Sequence, residues 1–200
     1  MDARREVTLG ILAGGRAQRL GGLDKAWLQL DGQPLVQRLA AALAPSVAAV
    51  RVSANRHHER YAAAGLVALA DRLRADAHAS RSLGPIAGLE ALAAACATPW
   101  LLTLPVDLQQ LPATLLDTLC AGAAAAGAYA EDEDGVQPLV ALYRVAALRP
   151  ALAAALAGGR YAPRALQQDL AMARVRLPGV RLGNLNLPQD LHAAGILPAP

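Results

Sequence analysis

Along this chain, short blocks of apolar residues alternate with stretches in which apolar residues recur every three or four positions. The block "VTLGILA" (7–13) is bounded by glycine and reads as a buried strand. In "PLVQRLAAALAP" (34–45), Leu35, Val36, Leu39, Ala42 and Leu43 share one helical face, and Pro45 ends it. "VAAVRVSA" (47–54) reads as a second strand, "HHERYAAAG" as a short helix closed by Gly65, and "LVALAD" (66–71) as a third strand ending at Asp71. "GPIAGLEALAAACA" (84–97) opens a helix with proline, where the missing N–H costs little, and "WLLTLPVD" (100–107) is a fourth strand running into Asp107.

The remainder continues the alternation. "PATLLDTLCAGAAAAG" (112–127) reads as a helix, "AYAED" (128–132) and "PLVALYR" (138–144) as strands, and "VAALRPALAAALAGG" as a helix stopped by Gly158 and Gly159. A helix over 162–170, a strand over 173–177 and the segment "LGNLNLPQDL" (182–191) follow. Strands alternating with helices of about ten residues predict right-handed βαβ units and a mostly parallel twisted sheet with helices on both faces. The expected fold class is thus α/β, a three-layer sandwich. No repeat and no linker divides the 200 residues, which suit one domain.

Composition changes this picture little. Hydrophobic residues make up 54% of the chain, enough for a core, but phenylalanine is absent, so Leu, Val, Ile and Ala must build it. A net charge of +3 gives no argument for nucleic acid, and no stretch approaches the roughly 20 apolar residues of a membrane helix. Neither Cys96 nor Cys120 belongs to a paired framework or has polar neighbours to activate it, so a reduced, cytoplasmic setting is expected. The acidic run "EDEDG" (131–135) reads as a solvated loop.

In parallel sheets ligands bind beyond the carboxyl ends of the strands, and the polar candidates fall there. "LAGGRAQRLGGLDK" (12–25) follows the first strand. Its Gly14 and Gly15 let backbone N–H groups approach an anion, and Arg16, Arg19 and Lys25 add positive charge suited to phosphates. Its spacing matches neither the P-loop nor the dinucleotide fingerprint. Asn55 follows the second strand and Asp71 ends the third. Asp107, after the fourth, is placed either to hold Mg²⁺ or to cap a helix. Asn184 and Asn186 alternate along an extended segment, and so face one side unless they form a turn. The four histidines lack metal-site spacing, and no GxSxG serine elbow occurs.

Taken together, "LAGGRAQRLGGLDK", "WLQLDGQPLVQRL", "SANRH", "LADRL", "GPIAGL", "LPVDLQQLP", "QPLVALYR" and "GNLNLPQDL" resemble the molybdenum cofactor guanylyltransferases, over nearly the whole chain. These are nucleotidyltransferases of Rossmann-like fold. The resemblance implies transfer of GMP from GTP to the terminal phosphate of molybdenum-loaded molybdopterin, with release of pyrophosphate and with Mg²⁺ as cofactor. It implies that Leu12, Ala13, Gly14 and Gly15 cup the nucleotide, that Lys25 lies beside the phosphates, and that Asp71 lies near the guanine or ribose. Ser53 and Asn55 also fall on the nucleotide side, and Asp107 is the implied metal ligand. Arg19, Gly84, Asn184 and Asn186 fall on the acceptor side, to which the C-terminal half is assigned. Ser53 stands where the family often has asparagine, and an arginine-rich stretch of the family is reduced here to Arg160 and Arg164.

The rival enzyme readings are a cytidylyltransferase of the same cofactor, whose members tend to carry alanine at the position of Gly14, and a nucleotidyltransferase of another small phosphate. A non-catalytic delivery protein is a rival of a different class, disfavoured by the retention of Lys25 and Asp107. A cofactor passed between enzymes further implies transient contacts with the molybdenum insertase and the recipient molybdoenzymes.

Overall fold

A short helix, α1 (Ala3–Glu6), leads into β1 (Val7–Leu12), whose Val7, Leu9 and Ile11 are fully buried. The computed structural model describes residues 2–14, 24–72 and 83–185. A single 3₁₀ turn, Lys25–Trp27, precedes the small hairpin of β2 (Gln29–Leu30) and β3 (Gln33–Pro34), and α2 (Leu35–Leu43) follows. Next come β4 (Ala49–Ser53), α3 (His58–Ala63), β5 (Ala68–Leu69), α4 (Pro85–Ala95) and β6 (Trp100–Pro105). The described chain closes with α5 (Leu115–Gly122), β7 (Gly127–Asp132), β8 (Gly135–Arg144), α6 (Val145–Ala157), α7 (Pro163–Asp169) and β9 (Ala173–Arg176).

Seven strands form one sheet in the order β5-β4-β1-β6-β8-β7-β9. β5, β4, β1 and β6 are mutually parallel, as is the β7–β9 pair. β8 runs antiparallel to both β6 and β7, because a connection of two residues between β7 and β8 allows only a hairpin. Successive side chains of each strand serve opposite faces. Thus Leu102 and Leu104 pack with α2 and α5 in one core, while Leu101 packs with α4 and α6 in the other. The α/β three-layer sandwich expected from the sequence is present.

α4 lies unusually close to the sheet. A Cβ on its Gly88 would come 2.4 Å from Ser53 Oγ and 3.2 Å from Leu12 Cδ2, so only glycine fits there. The N-terminus of α4 is thereby brought to the carboxyl ends of β1 and β4. Among the described residues no helix is long and apolar enough to cross a membrane.

The register of β7 and β8 shifts between Tyr129 and Ala130, so Tyr129 faces Ala141 while Ala130 faces Gln137. The intervening residues of β8 are tied down from two sides. Thr103 Oγ1 donates to the carbonyl of Leu139 (2.9 Å), and Gln167 Nε2 donates to that of Pro138 (2.8 Å). β8 therefore parts from β6 beyond Thr103, where β6 approaches its carboxyl end.

Candidate active site

Two pairs of polar side chains meet along this edge. The first is Lys25 with Asp107: Nζ lies 2.8 Å from Oδ2 although the residues are 82 apart in sequence. β1 and β6 are neighbours in the sheet, so the segments following them emerge side by side. Lys25 is set by its own turn. Asp24 accepts the N–H of Ala26 (3.1 Å), and buried Trp27 packs on Tyr61 with ring centroids 4.9 Å apart. The Arg60 guanidinium covers the Trp27 ring at 4.3 Å. The side chains of Lys25 and Asp107 stay 21% and 15% exposed, so the pair is accessible from the edge.

Asp107 is not a helix cap. It lies in a turn, and the next helix, α5, starts at Leu115. Its carbonyl instead accepts the N–H of Leu185 (3.0 Å), and Leu108 forms an antiparallel bridge with Asn184. Arg38, which the sequence did not single out, holds this turn from α2 by donating to the carbonyl of Gln109 (2.8 Å).

The second pair is Asn55 with Asp71. Asn55 Nδ2 donates to Asp71 Oδ2 and the Asp71 N–H donates to Asn55 Oδ1, both at 2.8 Å. Asp71 Oδ1 is buried without a hydrogen-bond partner among the described residues.

The other candidates divide. Leu12 ends β1, the Ala13 N–H donates to the Ser53 carbonyl (3.0 Å), and Gly14 follows. A Cβ built on Gly14 would sit 3.5 Å from Ser53 Oγ and 3.8 Å from Asn55 Nδ2, ordinary contact distances. Ser53 itself is fully buried, its hydroxyl without a protein partner among the described residues and packed against Gly88. Its hydroxyl thus lies between Gly88 of α4 and Gly14 after β1. Gly84, at a φ of +61°, precedes α4 and brings the chain into its first turn. Arg164 donates to the Val136 carbonyl (3.2 Å), whereas Arg160 is paired with Asp169. Gly15, Arg16, Arg19 and Asn186 lie outside the described residues. Cys120 is no activated thiol, since burial and the nearby Asp117 carboxylate push its pKa up.

The acidic run departs most from expectation. Asp132 is buried at 4% exposure and is not part of a solvated loop. Its Oδ1 accepts from the Asp134 N–H (2.9 Å) and Gln137 Nε2 (3.0 Å), and its Oδ2 accepts from the Leu182 N–H (2.9 Å). Strand parity could have found it, because Ala128, Ala130 and Asp132 share the buried face of β7. Burial pushes the carboxyl pKa up, but hydrogen bonds from Gln137 and from the Leu182, Asp134 and Gly135 N–H groups outweigh this and hold it below the ordinary value. A carboxyl with a lowered folded-state pKa contributes stability above about pH 4 that is lost as pH falls through the lowered value. Urea titrations from about pH 5 to about pH 2 should show a decline in stability that is shallower in Asp132→Asn. Equal slopes in both proteins would contradict this account.

Among the described residues, no three His, Cys, Asp or Glu side chains cluster as a metal-holding group. A single carboxylate such as that of Asp107, partly exposed and with one oxygen on Lys25, nevertheless suits Mg²⁺, which takes one or two carboxylates and completes its shell with water and substrate phosphates.

The chain matches the model of the MobA-like NTP transferase domain over residues 9–174. It is 40% identical over 155 residues to a molybdenum cofactor guanylyltransferase of Serratia proteamaculans, covering 77% of this chain and 75% of the relative. A protein of the same name from Yersinia pseudotuberculosis is 32% identical over 187 residues, covering 92% of each. Among solved structures, the fold is similar to molybdopterin-guanine dinucleotide biosynthesis protein A of Archaeoglobus fulgidus, with a TM-score of 0.66 at 19% identity over 94% of this chain and 96% of the other. It is equally similar to the 2-C-methyl-D-erythritol 4-phosphate cytidylyltransferase of Thermus thermophilus, with a TM-score of 0.67 at 22% identity and the same coverage. With a lysine and an aspartate brought together where two neighbouring parallel strands end, and with sequence matches spanning most of its length, the chain belongs to the MobA-like NTP transferase family.

Proposed function

We propose that this protein transfers GMP from GTP to the terminal phosphate of molybdenum-loaded molybdopterin, in the cytoplasm, releasing pyrophosphate. The observation that carries the reading is the meeting of Lys25 and Asp107 at the carboxyl ends of β1 and β6, in a chain whose relatives at 32–40% identity are named molybdenum cofactor guanylyltransferases.

In this reading the backbone from Leu12 to Gly15 cups the triphosphate, and Lys25 stabilises the negative charge that grows on the phosphates as the bond to pyrophosphate breaks. Asp107 would hold Mg²⁺, which when bound neutralises phosphate charge. Because Asp107 already engages Lys25, the same carboxylate would keep the ammonium beside the phosphates. The attacking phosphate oxygen is ionised at neutral pH, so no side chain need remove a proton. Asp71, held by Asn55, would stand near the guanine or ribose. Arg19, Gly84, Asn184 and Asn186 would face the molybdopterin. Weak contacts with the molybdenum insertase and recipient molybdoenzymes complete the proposal.

Calorimetric titration with GTP and with CTP, each with Mg²⁺, tests the base choice. Binding of GTP at least tenfold tighter than CTP is expected, and a preference for CTP would overturn it. Gly14→Ala sharpens the test, since its Cβ fits the protein at ordinary distances. The variant should keep its thermal midpoint within a few degrees of the parent while the GTP preference narrows. An unchanged preference would remove Gly14 from base selection.

A further inference from the structure

After β9 the chain runs back along the carboxyl edge of the sheet as a strap, residues 177–185. The Leu177 N–H donates to the Glu131 carbonyl (2.7 Å), and the Glu133 N–H donates to the Val180 carbonyl (3.0 Å). The Gln110 N–H donates to the Leu182 carbonyl (2.9 Å), and the strap reaches Asp107 through the Leu185 N–H. Asn184, in its bridge with Leu108, is thereby laid beside the Lys25–Asp107 pair. Around its middle, the strap is gripped by one buried charged group, the Asp132 carboxylate at the end of β7, through the Leu182 N–H.

We propose that Asp132 is a positioning residue for the acceptor substrate: its buried carboxylate locks the strap at Leu182 and so fixes Asn184 against Asp107. The inference rests on the functional reading above, in which Asn184 faces the acceptor. Both oxygens of Asp132 accept hydrogen bonds, Oδ1 from Asp134 and Gln137 and Oδ2 from Leu182. No neutral side chain of the same shape can serve all these donors. An asparagine must turn its amino group toward one set and lose it. The other ties to this turn are peripheral by comparison: Glu133 accepts the Gly179 N–H (2.9 Å), and Arg181 pairs with Asp134, both exposed contacts. The lock's own hydrogen bonds involve none of Leu12, Ala13, Gly14, Asn55 or Asp71, and the strap meets Asp107 at its main-chain carbonyl, not at the carboxylate that engages Lys25.

Asp132→Asn separates positioning from general stability. The expected result is a GTP dissociation constant within twofold of the parent by calorimetry, a KM for molybdenum-loaded molybdopterin raised tenfold or more, and amide hydrogen exchange over 182–185 accelerated at least tenfold. Gln137→Met, which removes one donor and leaves the carboxylate in place, should move both readouts in the same direction by about threefold, and it serves if Asp132→Asn fails to fold. An unchanged acceptor KM in either folded variant would overturn the proposal, as would equal losses of GTP and acceptor binding. Failure of the parent itself to use molybdopterin would count against the functional reading instead, whereas the exchange rates over 182–185 test the lock without any acceptor.

Discussion

Asp107→Ala is expected to lower turnover at least a thousandfold, about 4 kcal/mol of transition-state stabilisation, while the protein unfolds within about 1 kcal/mol of the parent. The two parts of this expectation come from different atoms of one residue. The fold uses the main chain of Asp107, whose carbonyl accepts the Leu185 N–H, and alanine keeps that bond. The proposed chemistry uses the side chain, whose oxygen holds Lys25 at 2.8 Å and would bind the metal. A partly exposed ion pair of this kind adds little to stability, so its loss is felt in rate. Lys25→Ala should likewise fall in kcat by orders of magnitude, and the double variant should be little worse than either alone, because the two groups act as a unit. Steady-state kinetics beside circular-dichroism melts would check this. Full turnover in Asp107→Ala, or a change confined to KM in Lys25→Ala, would contradict the assignment.

Gly127→Ala should destabilise the protein by about 4 kcal/mol or more, among the largest losses open to a single methyl group. A Cβ at this position would lie 2.0 Å from the Leu142 carbonyl oxygen and 3.0 Å from its carbon. That carbonyl cannot retreat, because Leu142 is held between Ala128 of β7 and Leu102 of β6. The φ of +128° adds strain that only glycine escapes. Gly135, at a φ of +113° with nothing within 4 Å of a built Cβ, supplies the comparison. Gly135→Ala carries the backbone strain alone and should cost about 1–3 kcal/mol. Urea unfolding of both variants separates the terms, and equal losses would mean that the clash with Leu142 is relieved by movement.

The strands were legible in sequence where apolar runs were bounded by glycine or proline, as in β1 and β6. β8 was legible as a strand but not in its direction, since "PLVALYR" reads alike in either sense. The clue lay in the turn, where Asp134 and Gly135 close a hairpin that the acidic run had disguised as a solvated loop. "LVALAD" shrank to the two residues Ala68 and Leu69 because, among the described residues, it forms a sheet edge paired to β4 alone. Lys25, Asp71 and Asp107 could each be placed after a strand. Their partners could not, because the strand order that sets β1 beside β6, and β4 beside β5, is a property of the sheet and leaves no spacing in the chain. Asp132 was hidden for another reason: three acidic neighbours masked the alternation that points it inward.

The strap also imposes an order in time. At roughly 5–20 residues per second, about 80 residues and some 4–16 s of synthesis separate the emergence of Asp107 from that of Leu185. Until then a nascent chain can pair β1 with β4 and β6, and can close the β7–β8 hairpin, without the segment that borders the Lys25–Asp107 pair. The strap is therefore laid beside the charged pair only after both charges have been made, and during translation the pair is open on that side.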